Sequence, residues 1–330
     1  MGQNGARRCI STVWQYLILA GGTAFFTTLL ATRWMIRRLR GTKMVGRDLH
    51  KPGRPEVPEM GGLAVIAGFY AGVTVIELFV EDPQSQAYLH ASLVAAFGAG
   101  FVGLLDDLFN LRQRVKAALP FLFAIPLATA IYRDPRGEGT TLFYTDIGAL
   151  ILLVVPFGVT SAANATNMLE GFNGLGAGLG IIMCLSMVGL AFVTANLTGL
   201  YLVLPLLGAL VAFLVFNRYP AKIFPGDSMT LFVGATIAAA AIMAHQKTLG
   251  AVLFIPFILE FALKARGHFK AQNYGTLNDN GKLSYHGPVE SLSHVLMQGN
   301  SIREPHLVAV LWAFEAVLGA AVILWVAAGP

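Results

Sequence analysis

Apolar residues along this chain come in long runs, each bounded by a short polar stretch. A helix that crosses a bilayer needs about 20 mostly apolar residues. Ten runs approach that length: roughly 13–32, 61–80, 88–105, 117–132, 142–160, 175–195, 199–216, 228–244, 249–263 and 307–328. The fourth and ninth are short and carry Pro120, Pro126 and Pro256, so kinks are expected there. The only long polar stretch is 264–305, and no internal repeat interrupts the pattern. This predicts an all-α polytopic membrane protein with a single integral membrane domain, 1–330. It would be a bundle of about ten transmembrane helices, with 264–305 as the loop between spans nine and ten.

Composition supports the pattern. Of 330 residues, 55% are hydrophobic and only 12% charged, about half the charged share of a soluble domain. The net charge of +5 reads as cytoplasmic loop charge. No basic helix interleaved with aromatics suggests nucleic-acid binding. With ten spans, eighteen of the 23 lysines and arginines fall in one set of loops, and only Arg7, Arg8, Arg133, Arg136 and Lys247 in the other. The basic set is assigned to the cytoplasm, with both termini external. Arg7 and Arg8 oppose this for the first span, but six basic residues between Arg33 and Arg47 outweigh them. The N-terminal run is long enough to span and lacks a convincing cleavage site, so it is not read as a signal peptide. Gly2 begins a myristoylation pattern that fails at Ala6. Cys9 and Cys184 are in no metal spacing and are read as free thiols.

The chemistry-bearing stretches all lie in the cytoplasmic set. In FVGLLDDLFNLRQRVK (101–116), Asp106 and Asp107 sit side by side where the third span ends, and the helix dipole disfavours negative charge there. They are either solvated interface residues or groups facing a divalent cation and anionic phosphates. Asn110, one turn on, is expected on the same helix face as Asp106, and Lys116 supplies positive charge. In NATNMLEGFNGLGAG (164–178), Asn164 and Asn167 share a face if helical and offer uncharged hard oxygens. Gly171 and Gly174 allow close backbone approach, while the later glycines are read as helix packing. NRYPAKIFPGDS (217–228) puts Phe224 and Asp227 in a shaped turn at the mouth of the eighth span. DLHKPGRPEVPEMGG (48–62) holds Glu59 just before the second. His50 alone is not a persuasive ligand. A transporter would place such residues near mid-span, whereas one-sided clustering suits an enzyme joining a water-soluble substrate to a lipid.

In combination these motifs are specific: D-L-x(9)-E, D-D-x-x-N-L-R-x-R-x-K, N-x-x-N-x-x-x-G-x-N-G and N-x-Y-P-x-x-x-F-x-G-D. Over about 48–260 the sequence resembles the polyprenyl-phosphate N-acetylhexosamine-1-phosphate transferases of the glycosyltransferase 4 type. It is closest to the archaeal and eukaryotic branch, which moves GlcNAc-1-phosphate from UDP-GlcNAc to dolichyl phosphate. The resemblance implies that Asn167 and Asp227 hold Mg²⁺, with Mn²⁺ as the substitute. It implies that Leu49, Gly171 and Asn173 frame the uracil, that Phe224 stacks on it, and that Arg47, Asp48, Glu59 and Asn110 meet the nucleotide sugar. Lys116, with Asn164 and Asn167, would hold the lipid phosphate, and Asp106 and Asp107 would be catalytic acids near the metal. Arg266 and His268 would reach the pyrophosphate and sugar. There this chain reads Arg266-Gly267-His268-Phe269-Lys270 and departs from the Arg-His-Arg run of eukaryotic relatives and the His cluster of bacterial ones.

The expected partners are therefore UDP-GlcNAc, a dolichyl or other polyprenyl phosphate and membrane lipid, with a homodimer left open. An archaeal cell membrane fits better than the endoplasmic reticulum. A lipid phosphate monoester has a second pKa of about 6, so it needs charge cancellation more than a base, and direct attack on the β-phosphorus is expected. The alternatives are an ion-coupled transporter, and the same chemistry on another UDP-HexNAc or on undecaprenyl phosphate. An intramembrane protease lacks its G-x-G-D and Y-D pair, and a CDP-alcohol phosphotransferase lacks its spaced aspartates.

Overall fold

The computed structural model describes residues 3–134, 140–142, 145–299 and 301–329. Gly2 and Arg136 lie outside the described residues, as do the side chains of Arg7, Arg8 and Cys9. The helices are α1 (Gln3–Leu39), α2 (Gly62–Glu77), α3 (Pro83–Phe109), α4 (Gln113–Ala118), α5 (Pro120–Tyr132), α6 (Ile151–Leu169) and α7 (Leu175–Thr194). They continue as α8 (Leu200–Asn217), α9 (Gly226–Met243), α10 (Lys247–Leu253), α11 (Ile255–Arg266), α12 (Leu292–Met297) and α13 (Glu304–Ala328). Among the described residues, three antiparallel strand pairs lie between helices: β1 (Val45–Arg47) with β2 (Glu56–Pro58), β3 (Thr141–Leu142) with β4 (Thr145–Asp146), and β5 (Thr276–Leu277) with β6 (Leu283–Ser284).

The chain is a helical integral membrane protein. Among the described residues, eight helices are long and apolar enough to cross a bilayer, counting Gln113–Tyr132 as one. Ten were expected, and the two remaining runs take other forms. The ninth is broken: α10 and α11 meet at a 60° bend. Pro256 stands in the first turn of α11, where its missing N–H costs nothing, whereas inside one continuous helix it would remove a bond. Pro120 likewise opens α5 after the break at Leu119. The second run yields only the 16-residue α2, because Phe79 and Val80 turn back onto the Ile76 carbonyl.

Helix α9 is the central post, with the most buried apolar window of the candidate spans. Small residues let its neighbours approach the backbone. A Cβ on Gly103 of α3 would lie 2.3 Å from the Asp227 carbonyl oxygen, and one on Gly234 would lie 2.4 Å from that of Ala162 in α6. At Gly178 a Cβ would strike the Trp312 ring, so α13 seats on α7 there, in line with the packing role expected of the later glycines. Cys184 is a buried free thiol.

Candidate active site at one end of the bundle

The ends of α3, α4 and α9 meet around one ammonium group. Lys116 is buried and pairs with both Asp106 Oδ2 (2.9 Å) and Asp227 Oδ2. Asp106 Oδ1 also accepts the Leu111 N–H at 2.8 Å. Asp107 points elsewhere: Oδ1 accepts the Asp227 N–H (2.7 Å) and Oδ2 the Ser228 N–H (3.1 Å), capping the first turn of α9. The adjacent carboxylates thus divide their work, one on a cation and one on a helix N-terminus, where negative charge is favoured. Three carboxylates against one ammonium leave a local excess of negative charge when ionised.

Asn110 does not continue the helix face of Asp106. Helix α3 ends at Phe109, and Asn110 is its exposed C-cap in the left-handed region, φ +50°. Asparagine tolerates that conformation better than most residues, so the expected shared face is replaced by a cap.

The end of α6 faces this cluster. Asn167 donates its amide to Thr230 Oγ1 (2.9 Å), and Thr230 in turn donates to the Asp227 carbonyl (3.2 Å). That leaves the Asn167 carbonyl oxygen for another partner. Asn164 instead ties α6 to α4, donating to the Thr160 carbonyl (2.8 Å) and the Ala117 carbonyl (3.1 Å). Asp106, Asp227 and Asn167 offer oxygens of the hard type that Mg²⁺ or Mn²⁺ prefers, and the charge excess is of the sign a divalent cation offsets. Glu170 lies just beyond. Its Oε2 is buried without a hydrogen-bond partner among the described residues, and burial pushes the carboxyl up to about 8 despite the nearby N–H groups of Gly176 and Gly171.

A second network lies alongside. The segment after α1 folds into β1–β2, leaving Arg47 and Leu49 exposed and Asp48 buried. Lys51 reaches Asp48 Oδ2 (2.7 Å), Glu304 Oε2 (3.0 Å) and Asn173 Oδ1 (3.1 Å), with its ammonium 4.2 Å from the centre of the Tyr219 ring. Asn173 is held by several bonds: its N–H donates to Glu304 Oε1 (2.7 Å), Nδ2 to Asp48 Oδ2 (3.3 Å), and Oδ1 accepts the Ala221 N–H (2.6 Å). Ligand-type atoms of Asp48, His50 and Glu304 lie within 4.8 Å of one another, but Lys51 already supplies the cation for the two carboxylates. His50 stacks on Phe172 (4.7 Å), and burial lowers its pKa to about 4.

Glu59 stands against Gly46, and its pKa is raised by burial and then by the Asp107 charge. Its neighbours are stitched to the Asp227 turn: Phe224 N–H to the Pro58 carbonyl (2.7 Å), Gly61 N–H to that of Phe224 (2.9 Å) and Gly62 N–H to that of Pro225 (2.7 Å). Gly171 packs beside Asn273 and Tyr274. Arg266 donates to the Val289 carbonyl within its own loop, and His268 is exposed with φ +55°. Neither touches the Asp106–Lys116–Asp227 cluster. What binds that loop to the site is Lys264, on the Met168 carbonyl (2.6 Å), and Asn273, on the carbonyls of Met168 (2.9 Å) and Glu170 (2.8 Å).

Beside Ala117 and Asn164 opens an apolar cavity of about 740 Å³ between α6, α9 and the bent α10–α11 pair. Val155, Phe157, Met168, Ala238, Phe254 and Phe261 are among its walls. Lys116 is therefore flanked by a carboxylate cluster and, one residue on, by a greasy slot.

Sequence reasoning did not single out Lys51, Glu304, Glu170, Lys264 or Asn273. Lys51 read as loop charge, and Glu304 fell within the polar 264–305 stretch. The available signal for Glu170 was its place between two motif residues, Asn167 and Asn173.

Comparison with known proteins agrees with these features. A profile of glycosyl transferase family 4 matches residues 89–245. A Saccharolobus solfataricus protein provisionally named UDP-N-acetylglucosamine–dolichyl-phosphate N-acetylglucosaminephosphotransferase is 38% identical over 306 residues, 91% of this chain and 94% of its own. A provisionally named glycosyltransferase of Methanocaldococcus jannaschii is 30% identical over 305 residues, 91% and 94% of the two chains. A phospho-N-acetylmuramoyl-pentapeptide-transferase of Streptococcus equi subsp. equi is 31% identical over 260 residues, 74% and 77%.

Proposed function

We propose a specific activity for this chain, which belongs to glycosyl transferase family 4. It transfers N-acetylglucosamine 1-phosphate from UDP-GlcNAc to a dolichyl-type polyprenyl phosphate, releasing UMP, the first step of lipid-linked oligosaccharide assembly for N-glycosylation. The observation that carries this reading is the junction at Lys116. A buried ammonium sits between Asp106 and Asp227, and its chain neighbour Ala117 lines a large apolar cavity. An anionic head on a polyisoprenoid tail matches both halves. The 38% identity to the archaeal phosphotransferase favours UDP-GlcNAc over other UDP-HexNAc donors.

In this reading the donor lies over the exposed Leu49, Gly171 and Phe224, with Arg47, Asp48, Glu59, Asn173, Arg266 and His268 around it. Asp227 and Asn167 would hold Mg²⁺ on the pyrophosphate, and the metal would supply charge neutralisation for the pyrophosphate and the departing UMP. Lys116 holds the acceptor phosphate, and Asn164 fixes the α4 backbone beside it. An acceptor oxygen forms a bond to the β-phosphorus as the bond from that phosphorus to the UMP oxygen breaks. No covalent enzyme intermediate forms. Asp106 orients Lys116, while Asp107 fixes the turn that carries Asp227.

Loop charge supports placing this end in the cytoplasm. Counting α2 and the bent α10–α11 pair as spans gives ten, with both termini outside an archaeal cell membrane. The test is incubation of purified protein with labelled UDP-GlcNAc, Mg²⁺ and dolichyl phosphate. Lipid-linked GlcNAc and UMP are expected, with loss of both on chelation and in Asp227→Ala and Asn167→Ala. Turnover retained in both variants refutes the metal assignment, and transfer from another UDP-HexNAc alone refutes the sugar.

A further inference from the structure

We infer that Glu304, the first residue of the last span, is a positioning residue for the nucleotide sugar. It locks the donor side of the site to the end of the 264–305 loop. The inference rests on the donor placement proposed above.

Glu304 is 3% exposed, and each of its oxygens has a separate task. Oε1 accepts the Asn173 N–H at 2.7 Å, and Oε2 accepts the Lys51 ammonium at 3.0 Å. Through these two bonds one carboxylate joins three chain segments far apart in sequence: the loop after α1, the turn before α7 and the start of α13. Lys51 then fixes Asp48, whose neighbour Leu49 faces outward, and Asn173 fixes Ala221, three residues before Phe224. The proposed uracil-facing positions are thus held from behind by a buried ion-pair network that includes Asn173.

A purely structural anchor could have been apolar. Replacing a buried ion pair by hydrophobic residues is often neutral or stabilising, whereas removing one partner is costly. A network of three charged groups and one amide at this place gives directional restraint that packing alone does not. Because Glu304 also ends the loop that begins at α11, it ties that loop directly to Asn173 and Lys51. Glu304 touches neither Asp106, Lys116 nor Asp227, so its effect should fall on donor affinity rather than on the chemical step.

The experiment is steady-state kinetics with UDP-GlcNAc and dolichyl phosphate varied separately, alongside direct UDP binding by calorimetry. Wild type, Glu304→Ala, Glu304→Gln and Lys51→Met are compared. Glu304→Ala should raise the donor KM about tenfold or more, with kcat within about threefold and the lipid-phosphate KM within about twofold. Glu304→Gln keeps an acceptor for the Asn173 N–H and should recover part of the loss. Lys51→Met should shift the donor KM in the same direction, and the double variant should add little to the larger single effect. UDP affinity should fall in parallel. An unchanged donor KM, or equal rises for both substrates, overturns the inference. If Glu304→Ala does not fold, Glu304→Gln and Lys51→Met decide by the same criteria. Failure of the wild type to bind UDP or to transfer GlcNAc defeats the proposed function itself, and this inference with it. Normal wild-type transfer with unaltered variants defeats the inference alone.

Discussion

The carboxylate of Asp107 caps the helix that carries Asp227. It accepts the Asp227 N–H at 2.7 Å and the Ser228 N–H at 3.1 Å, and both bonds come from the first turn of α9. One acidic residue therefore sets the position of another through backbone amides. Replacing Asp107 by Ala should cost about 1–2 kcal/mol, as loss of a helix cap does, and should lower kcat with it. Unfolding temperature in detergent, measured with turnover, checks this. Unaltered stability would show that the cap is dispensable.

Lys116 is the positive centre of the site. Lys116→Met should lower kcat at least about 100-fold, the scale of losing a preorganised electrostatic contact, while UDP binding persists. Lys116→Arg should rescue little, because a planar fork cannot replace a compact ammonium between two carboxylates. Full activity in Lys116→Met would remove the lysine from the mechanism.

The apolar cavity gives a separable handle. Gly158 lines it, and a Cβ there meets nothing within 4 Å. Gly158→Trp should fill the slot, raise the KM for the lipid phosphate several-fold and leave that for UDP-GlcNAc near its normal value. Equal change in both constants would place the acceptor tail elsewhere.

Buried His50 and half-buried Glu170, both outside the spans, give stability opposite pH slopes. His50 is lowered to about 4, so an unfolded chain takes up its proton first as pH falls. Stability is lost between about 6.5 and 4. Glu170 is raised to about 8, so the unfolded chain releases its proton first as pH rises. Stability is lost between about 4.5 and 8. Unfolding temperatures across pH 4–9 should show Glu170→Gln flattening the alkaline side and His50→Phe the acid side. If neither slope moves, these groups do not govern the pH dependence.

Glu315 of α13 is fully buried, and both its oxygens lack partners among the described residues. An unsatisfied buried polar group costs about 1–3 kcal/mol. Glu315→Leu should therefore raise the unfolding temperature without affecting turnover, which a thermal scan with an activity assay would show. A lower unfolding temperature would reveal that the carboxyl has a stabilising role.

The helical membrane class, the motif segments and the positive charge bias were legible in the chain, because each follows from local composition and spacing. Apolar length predicts a span without knowledge of neighbours, and Pro256 predicts a break because its missing N–H acts locally. The individual roles within the motifs were not legible. Asp106 and Asp107 are neighbours of identical chemistry, and only the arrival of α4 and α9 assigns one to Lys116 and the other to a helix terminus. Asn110 looked like part of a helix face and proved to be its cap. Lys51 and Glu304 are 253 positions apart, and no local pattern pairs them. Local chemistry sets which groups exist and where helices start or stop. Which buried charges neutralise one another depends on distances that only the packed bundle creates.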